Sequence, residues 1–343
     1  MKSAYEKGLV EVGAGLWAYL QPDGSWGLNN AGLIEAEGEA LLVDTLFDLA
    51  HTREMLDAMR KAAPSAERIG TVVNTHANGD HCWGNALVKG ARIVSSKRSA
   101  DEMEELPPAR VALLLKAARL VGKLGLAGRG LGKAAGALGL SKVAHLVEAA
   151  PFVERIFGRF EFDGIELVPP DTTFEGSFEL RVGGRKVELV EVGPAHTKGD
   201  VLVFVDDGRA AFTGDILFID AHPIVWQGPL SNWVEATDRI LARGPEVIVP
   251  GHGRLASADD VRQVRDYLKH VEVEATKRHA AGMPPLEAAM DIAFDEFSSW
   301  SEAERVAVNV DTVYRHLDGH KEPGDVVELF AKMALVARKA KRR

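Results

Sequence analysis

Cysteine is nearly absent: Cys82 is the only one in 343 residues, so no disulfide can form within the chain and a four-thiolate zinc site is excluded. Such usage fits a reducing compartment, and the chain reads as cytoplasmic. Positive charge is also short. With 41 Lys and Arg against 50 Asp and Glu the net charge is −9, which speaks against a broad electrostatic grip on nucleic acid or an anionic membrane. A small-molecule substrate fits better, and no nucleic-acid partner is expected. No run of about 20 uncharged apolar residues is long enough to span a bilayer. The opening "MKSAYEKGLVEVGAGLW" lacks a continuous apolar core behind its first lysine, which argues against a secretory signal. No "GxSxG" elbow offers a serine nucleophile. "GLAGRGLGKAAG" (125–136) lacks both the preceding strand and the Gly-Lys-Ser/Thr ending of a phosphate loop.

What is present is apolar enough, at 46%, to bury a substantial core. From Gly15 to Asp44 the runs "LWAYL", "AGLIEA" and "ALLVD" are separated by the turn-rich "QPDGSWG" and "EGE", the pattern of antiparallel strands. His51 to Lys61 carries Met55, Leu56 and Met59 at helical spacing, and "IGTVVNT" then reads as a buried strand. Later, "KVELVEVG", "VLVFVDD", "AAFTGD" and "PEVIVPGHG" repeat the style, each strand running into a polar cluster. Ser257 with Asp260 forms a capping-box pattern opening a helix with the stripe Val261, Val264, Leu268 and Val271. Ser299 and Glu302 are expected to open another, striped by Val306, Val310, Val313 and Leu317.

Between Arg110 and Val147 acidic residues are missing altogether while seven Lys or Arg remain, in a segment rich in Leu, Ala and Gly. It interrupts the strand pattern. One reading is a helical hairpin that covers the site or packs on a second subunit. The other is a basic amphipathic lid that touches a membrane surface or an anionic, greasy ligand such as an acyl thioester. Its glycines weaken long helices by roughly 1 kcal/mol each relative to alanine.

The chemistry gathers in four clusters at strand ends: His76, Asn78, Asp80 and His81 in "NTHANGDHCWGN" (74–85); His196 in "AHTKGD"; Asp215 in "FTGD"; and His252 in "PGHG". One such histidine is ordinarily solvated or structural. Together they supply the imidazole and carboxylate donors that zinc and similar divalent ions take. Trp83, Trp226 and Trp233 are candidates to wall a pocket or to fill the core. His222, His270, His316 and His320 show no matching spacing, so surface or structural roles are assigned to them by default.

The order and spacing of these clusters resemble the metallo-β-lactamase superfamily, whose H-x-H-x-D-H motif is followed by single His, Asp and His ligands. The resemblance covers residues from about 15 to 255. It implies an α+β fold, an αβ/βα four-layer sandwich with metal at the loops along one edge. On that basis residues 1–257 form the core domain with a helical insertion at about 104–157, and 258–343 form a helical C-terminal extension packing on the core. By the same resemblance His76 and His196 would hold a first metal, Asp80, His81 and His252 a second, and Asp215 would bridge them. The implied cofactor is Zn2+, one or two per chain, with Mn2+ or Fe as further options. Asp80 and Asp215 are the catalytic candidates.

Asn78 departs from the motif, standing where the family has its middle histidine. A neutral amide oxygen is a poor zinc donor beside imidazole, so the first site should be weakened. Three outcomes stay open: a mononuclear second site, a dinuclear site with a softened first metal, or a first site completed by water held by Asn78. Asp44, ending "ALLVD", would either support a ligand histidine or cap a turn. Cys82 matches no family ligand and reads as a buried packing thiol. The expected activity is a metal-dependent hydrolase working with metal-activated water on a carbonyl ester, thioester or lactone. A phosphodiesterase or nuclease, an iron-dependent redox protein of the same fold and a non-catalytic metal-binding protein are the alternatives. A homodimer formed through the insert is a further expectation.

Overall fold

Apolar side chains at alternate positions make each strand two-sided, and the chain uses this to build layers. The computed structural model describes residues 5–340 apart from 106, 124–129, 131, 133 and 321. Much of "GLAGRGLGKAAG" and the first four residues of the N-terminal stretch therefore lie outside the described residues.

The first sheet runs in the order β1 (Gly8–Gly13), β2 (Leu16–Leu20), β3 (Ala31–Ala36), β4 (Glu39–Val43), β5 (Thr71–Val73), β6 (Arg92–Ser96) and β7 (Thr172–Phe174). Its neighbours are antiparallel from β1 to β4 and parallel from β4 to β7. The second holds β8 (Ser177–Val182), β9 (Arg185–Glu191), β10 (Val201–Val205), β11 (Ala210–Phe212) and β12 (Val247–Val249), with β11 and β12 parallel. In "VLVFV", Val201, Val203 and Val205 face the first sheet, where Ile34, Leu41, Val43 and Val73 meet them. Leu202 and Phe204 face the other way.

Helices cover both outer faces. Helix α1 (Leu49–Ala62) lays Met55, Leu56 and Met59 on Leu33, Leu42 and Val72 of the first sheet. Single-turn α2 (Gly79–Cys82) and α3 (Lys97–Met103) follow β5 and β6. The insert supplies α4 (Pro108–Lys123) and α5 (Ser141–Phe157), which pack on each other as the expected hairpin. On the second sheet, α6 (Leu230–Arg243) packs against α7 (Ala258–Ala280), followed by α8 (Pro285–Asp291), α9 (Val306–Leu317) and α10 (Val326–Ala340). The last of these packs along α5, where Arg338 pairs with Glu148. Among the described residues no helix is long and apolar enough to cross a membrane.

The capping box forms as read: the Ser257 hydroxyl accepts the Asp260 N–H, and Asp260 accepts the Ser257 N–H at 2.8 Å. The cap expected at Ser299 does not. Glu302 takes a left-handed φ of 59°, which breaks the helical path, and a short 3-10 turn intervenes before α9 begins at Val306. Val306, Val310 and Val313 are buried, but Leu317 is exposed.

At Gly32 on β3 the two sheets come so close that a Cβ would lie 2.2 Å from Phe212 Cε1. Gly32→Ala must displace that ring, and a cost of about 1–3 kcal/mol is expected, as for other overpacked cores. A lowered urea midpoint with an unchanged slope checks this; an unchanged midpoint would mean the ring yields freely.

Candidate metal centre

Parallel strand pairs in both sheets end on the same edge, and the polar clusters sit on the loops beyond them. Asp44 follows β4, "NTHANGDHCWGN" follows β5, His196 lies between β9 and β10, Asp215 follows β11 and His252 follows β12. The motif loop is closed by its own end asparagines: Asn85 donates to Asn74 Oδ1 at 2.8 Å, and Asn74 donates to the His81 carbonyl at 2.9 Å. Gly251 is required by crowding, since a Cβ there would meet Asp215 Oδ1 at 2.1 Å.

All six residues expected as ligands come together around Asp215, whose two oxygens are divided. Oδ1 faces His81 Nε2 at 3.1 Å and His252 Nε2 at 3.4 Å. Oδ2 faces His196 Nε2 at 3.2 Å and His76 Nε2 at 3.7 Å. Asp80 Oδ2 lies 3.4 Å from His252 Nε2 and 4.0 Å from His81 Nε2. His76, His81, His196, Asp215 and His252 are fully buried, whereas Asp80 is partly open to solvent.

The opposite ring nitrogens of His76, His81 and His196 are tied down, whereas His252 Nδ1 is buried without a partner among the described residues. His81 Nδ1 donates to Asp44 Oδ2 at 2.8 Å, and His196 Nδ1 donates to the Ile224 carbonyl at 2.7 Å. Thr75 gives its hydroxyl proton to Asp44 Oδ2 at 2.8 Å, so its oxygen accepts from His76 Nδ1 at 3.1 Å. These bonds turn the Nε2 atoms of His76, His81 and His196 toward the centre, as the partners of metal-bound imidazoles do. Asp44 also accepts the Thr75 N–H at 2.7 Å while holding a left-handed φ of 62°. One carboxylate thus bonds both a ring of the cluster and a backbone N–H of the motif loop. Neither Thr75 nor the Ile224 carbonyl is legible from sequence as part of the site; the one clue to Thr75 is its place between the strand and His76.

His76 Nε2, His81 Nε2 and Asp215 Oδ1 are buried with no hydrogen-bond partner among the described residues, although a donor-capable ring and a carboxylate stand only 3.1 Å apart. Two overlapping triads, His76–His81–Asp215 and Asp80–His81–His252, each bring their donor atoms within 4.8 Å of one another. Burial works against the charge on Asp215, but the surrounding imidazoles of His252, His81, His76 and His196 outweigh it and hold the carboxyl well below its usual range. Burial would lower His81 too, yet Asp215 and Asp44 carry it well above 6.5. Burial, reinforced by His81, keeps His76 well below that value, and burial lowers His196 as well.

Asn78 meets the cluster from one side, its amide nitrogen donating to His196 Nε2 at 3.0 Å. Cys82 turns away, its Sγ against the carbonyls of Ala77 and Asn78 at 3.6 and 3.4 Å. Trp83 stacks on Phe47 and Trp233 donates to the Ile216 carbonyl, both fully buried as core. Trp226 is partly buried against Trp26 and Phe330. His222 is buried beside Tyr267, and His316 Nε2 lies 2.9 Å from the Gln227 carbonyl.

Residues 24–252 match the metallo-beta-lactamase superfamily. The chain is 23% identical over 267 residues to a linear primary-alkylsulfatase of Pseudomonas sp., covering 74% of this chain and 48% of that protein. It is 26% identical over 140 residues to a hydroxyacylglutathione hydrolase of Brucella anthropi, covering 39% and 54%. The chain therefore spans about half the length of these curated relatives. Among solved structures, a stereoselective inverting sec-alkylsulfatase from Pseudomonas sp. aligns with a TM-score of 0.61 at 17% identity over 90% of this chain and 50% of that one. A metallo-beta-lactamase from Pontibacter korlensis aligns with a TM-score of 0.50 at 17% identity over 77% and 99%. These likenesses carry the fold, including the four-layer sandwich.

Asp44→Ala would leave the His81 ring N–H and two Thr75 donors buried without their acceptor. A loss of about 3–5 kcal/mol is expected, as when one partner of a buried pair is removed. Denaturant unfolding checks this, and a loss below about 1 kcal/mol would show that Asp44 does not organise the loop.

Proposed function

The chain belongs to the metallo-beta-lactamase superfamily, and from that premise we propose that it is a metal-dependent hydrolase of an ester-type bond: a carbonyl ester, thioester or lactone. One observation carries the reading. Imidazole and carboxylate donors converge, buried, to hydrogen-bonding distance and yet leave His76 Nε2, His81 Nε2 and Asp215 Oδ1 unpartnered. Unpaired buried polar atoms cost about 1–3 kcal/mol each, a cost that a divalent cation would remove. The donor set of nitrogen and carboxylate oxygen suits zinc, and manganese or iron would also be accepted.

His76 and His196 would hold one such ion, Asp80, His81 and His252 another, with Asp215 reaching both through its separate oxygens. What the cation supplies is Lewis acidity, which acidifies water and polarises an ester oxygen. The protein supplies the rest. Asp44, Thr75 and the Ile224 carbonyl fix the imidazoles so that no reorientation is needed during reaction. Asp80, partly open to solvent, would accept the proton of an attacking water, while Asp215 would keep its charge among the rings. Because Asn78 donates to the His196 lone pair, the end of the cluster holding Asp80, His81 and His252 is the tighter metal position.

A second reading, hydrolysis of a sulfate ester, is favoured by the similarity to alkylsulfatases. The same centre serves both, and the leaving group decides between them. A panel of carbonyl esters, thioesters, lactones, alkyl sulfates and phosphodiesters should reveal one hydrolysed class. Chelator-stripped protein should lose at least 100-fold in rate and recover with zinc or manganese; undiminished hydrolysis after stripping would overturn the reading. Asn78→His should raise the metal bound per chain, read by elemental analysis. Unchanged stoichiometry and affinity would show that Asn78 does not weaken the first position.

A further inference from the structure

Outside the metal cluster the described residues hold a buried arginine with little to satisfy it. Arg305, in the turn before α9, is 1% exposed, and its Nε has no hydrogen-bond partner. One Nη donates to the His222 carbonyl at 3.0 Å. No carboxylate lies within 4.0 Å of it among the described residues, although Glu302, Glu304, Asp215 and Asp80 are near enough for their charges to act on it. Glu304 is taken by Arg155 at 2.7 Å, and burial pushes the Glu302 carboxyl up toward its neutral form.

The guanidinium is instead held between rings, 4.6 Å from the Trp26 centroid and 5.0 Å from that of Phe218. Trp26 adds a second orphan donor, for its Nε1 is also buried without an acceptor. Two unsatisfied donors on stacked groups ask for one acceptor between or beside them, and a buried cation with no carboxylate in direct contact among the described residues asks for a negative one.

Both groups adjoin the metal centre. Phe218 stacks on the His252 ring at 4.9 Å and 7°, so a single ring separates Arg305 from the cluster. The loop carrying Trp26 is pinned to the His252 loop by Asn30, which donates to the carbonyls of Pro250 at 3.0 Å and Gly253 at 2.8 Å. On its other sides Trp26 meets Phe152 and Phe157 of the insert, Trp226, and Phe330 of α10. A ligand here meets a cation and two N–H donors in an aromatic wall.

We propose that Arg305 and Trp26 form an oxyanion-binding subsite, which selects esters whose apolar body carries a carboxylate, sulfonate or similar anionic group. This rests on reading the adjoining cluster as the reaction centre. A planar guanidinium presents paired donors to such groups, and its stacking fixes the fork in advance.

The test measures binding to the zinc-loaded full chain of octanoate, octane-1-sulfonate and the neutral octanamide. At least one anion should bind tenfold or more tighter than octanamide, and comparing the two shows whether the subsite takes carboxylate or sulfonate. The preference should vanish in Arg305→Met, survive in part in Arg305→Lys, and persist in chelator-stripped wild type. No preference in wild type, or one untouched in Arg305→Met or lost on stripping, would overturn the proposal. If Arg305→Met does not fold, Trp26→Phe keeps a ring and removes the N–H. It should weaken anion binding severalfold and leave octanamide binding alone; unchanged anion affinity would be equally fatal. Hydrolysis that survives stripping would sink the metal-hydrolase reading, while the anion preference on the same samples would still stand or fall by Arg305.

Discussion

Asp215 is a carboxylate sunk among four imidazoles, and the arrangement around it follows from the need to keep that charge inside the protein. Moving an ion of this size out of water costs several kcal/mol even after relaxation. The surroundings answer with Nε2 atoms at 3.1 to 3.7 Å on both of its oxygens. Those rings in turn are held from behind, by Asp44, by the Thr75 hydroxyl and by the Ile224 carbonyl. The left-handed φ of buried Asp44 goes with this role: from the end of β4 its carboxylate must meet both ends of the motif loop, at Thr75 and at His81.

The sandwich exists to bring those loops to one edge. Alternation in "VLVFV" and "ALLV" could be read as strands because a residue that faces the facing sheet and one that faces a helix differ only by one step along the chain. The capping box at Ser257 was equally legible, since both of its hydrogen bonds are local. The site clusters were legible because the donor types are few and each follows an apolar run. What could not be read was non-local or backbone-borne. The strands β1, β7 and β8 are short or half-exposed, with too little alternation to stand out. The start of α9 was misplaced because a single left-handed residue, Glu302, overrides a plausible cap. A backbone acceptor such as the Ile224 carbonyl has no side-chain signature at all.

The exchange of histidine for asparagine at 78 gains meaning in this frame. Three of the histidines have their outer nitrogens fixed by hydrogen bonds, whereas the amide of Asn78 turns inward and bonds to one of them. It is a hydrogen-bonding member of the cluster, and it makes the two ends of Asp215 unequal: Oδ1 looks toward His81 and His252, which Asp80 supplements, and Oδ2 toward His76 and His196, the latter accepting a hydrogen bond from Asn78. That asymmetry is a property of the chain before any ion arrives. Under the proposed reading it would bias occupancy through the donor set, since ligand type is one of the means by which proteins discriminate among metals.

The insert and the C-terminal helices belong to the same physical problem. The outer face of the second sheet, the hairpin of α4 and α5, and the helices from α7 onward bury one continuous apolar cluster. An extension attached only by its own core could move without consequence for the edge where the loops meet. Here Phe218, which lies on His252, also lies under Arg305, and Trp26 joins that guanidinium to Phe152, Phe157 and Phe330. Any shift of α10 against α5 is therefore felt by rings that touch the cluster, because close-packed interiors transmit displacement rather than absorb it. The helical parts are thus tied to the candidate centre through the rings of Trp26 and Phe218.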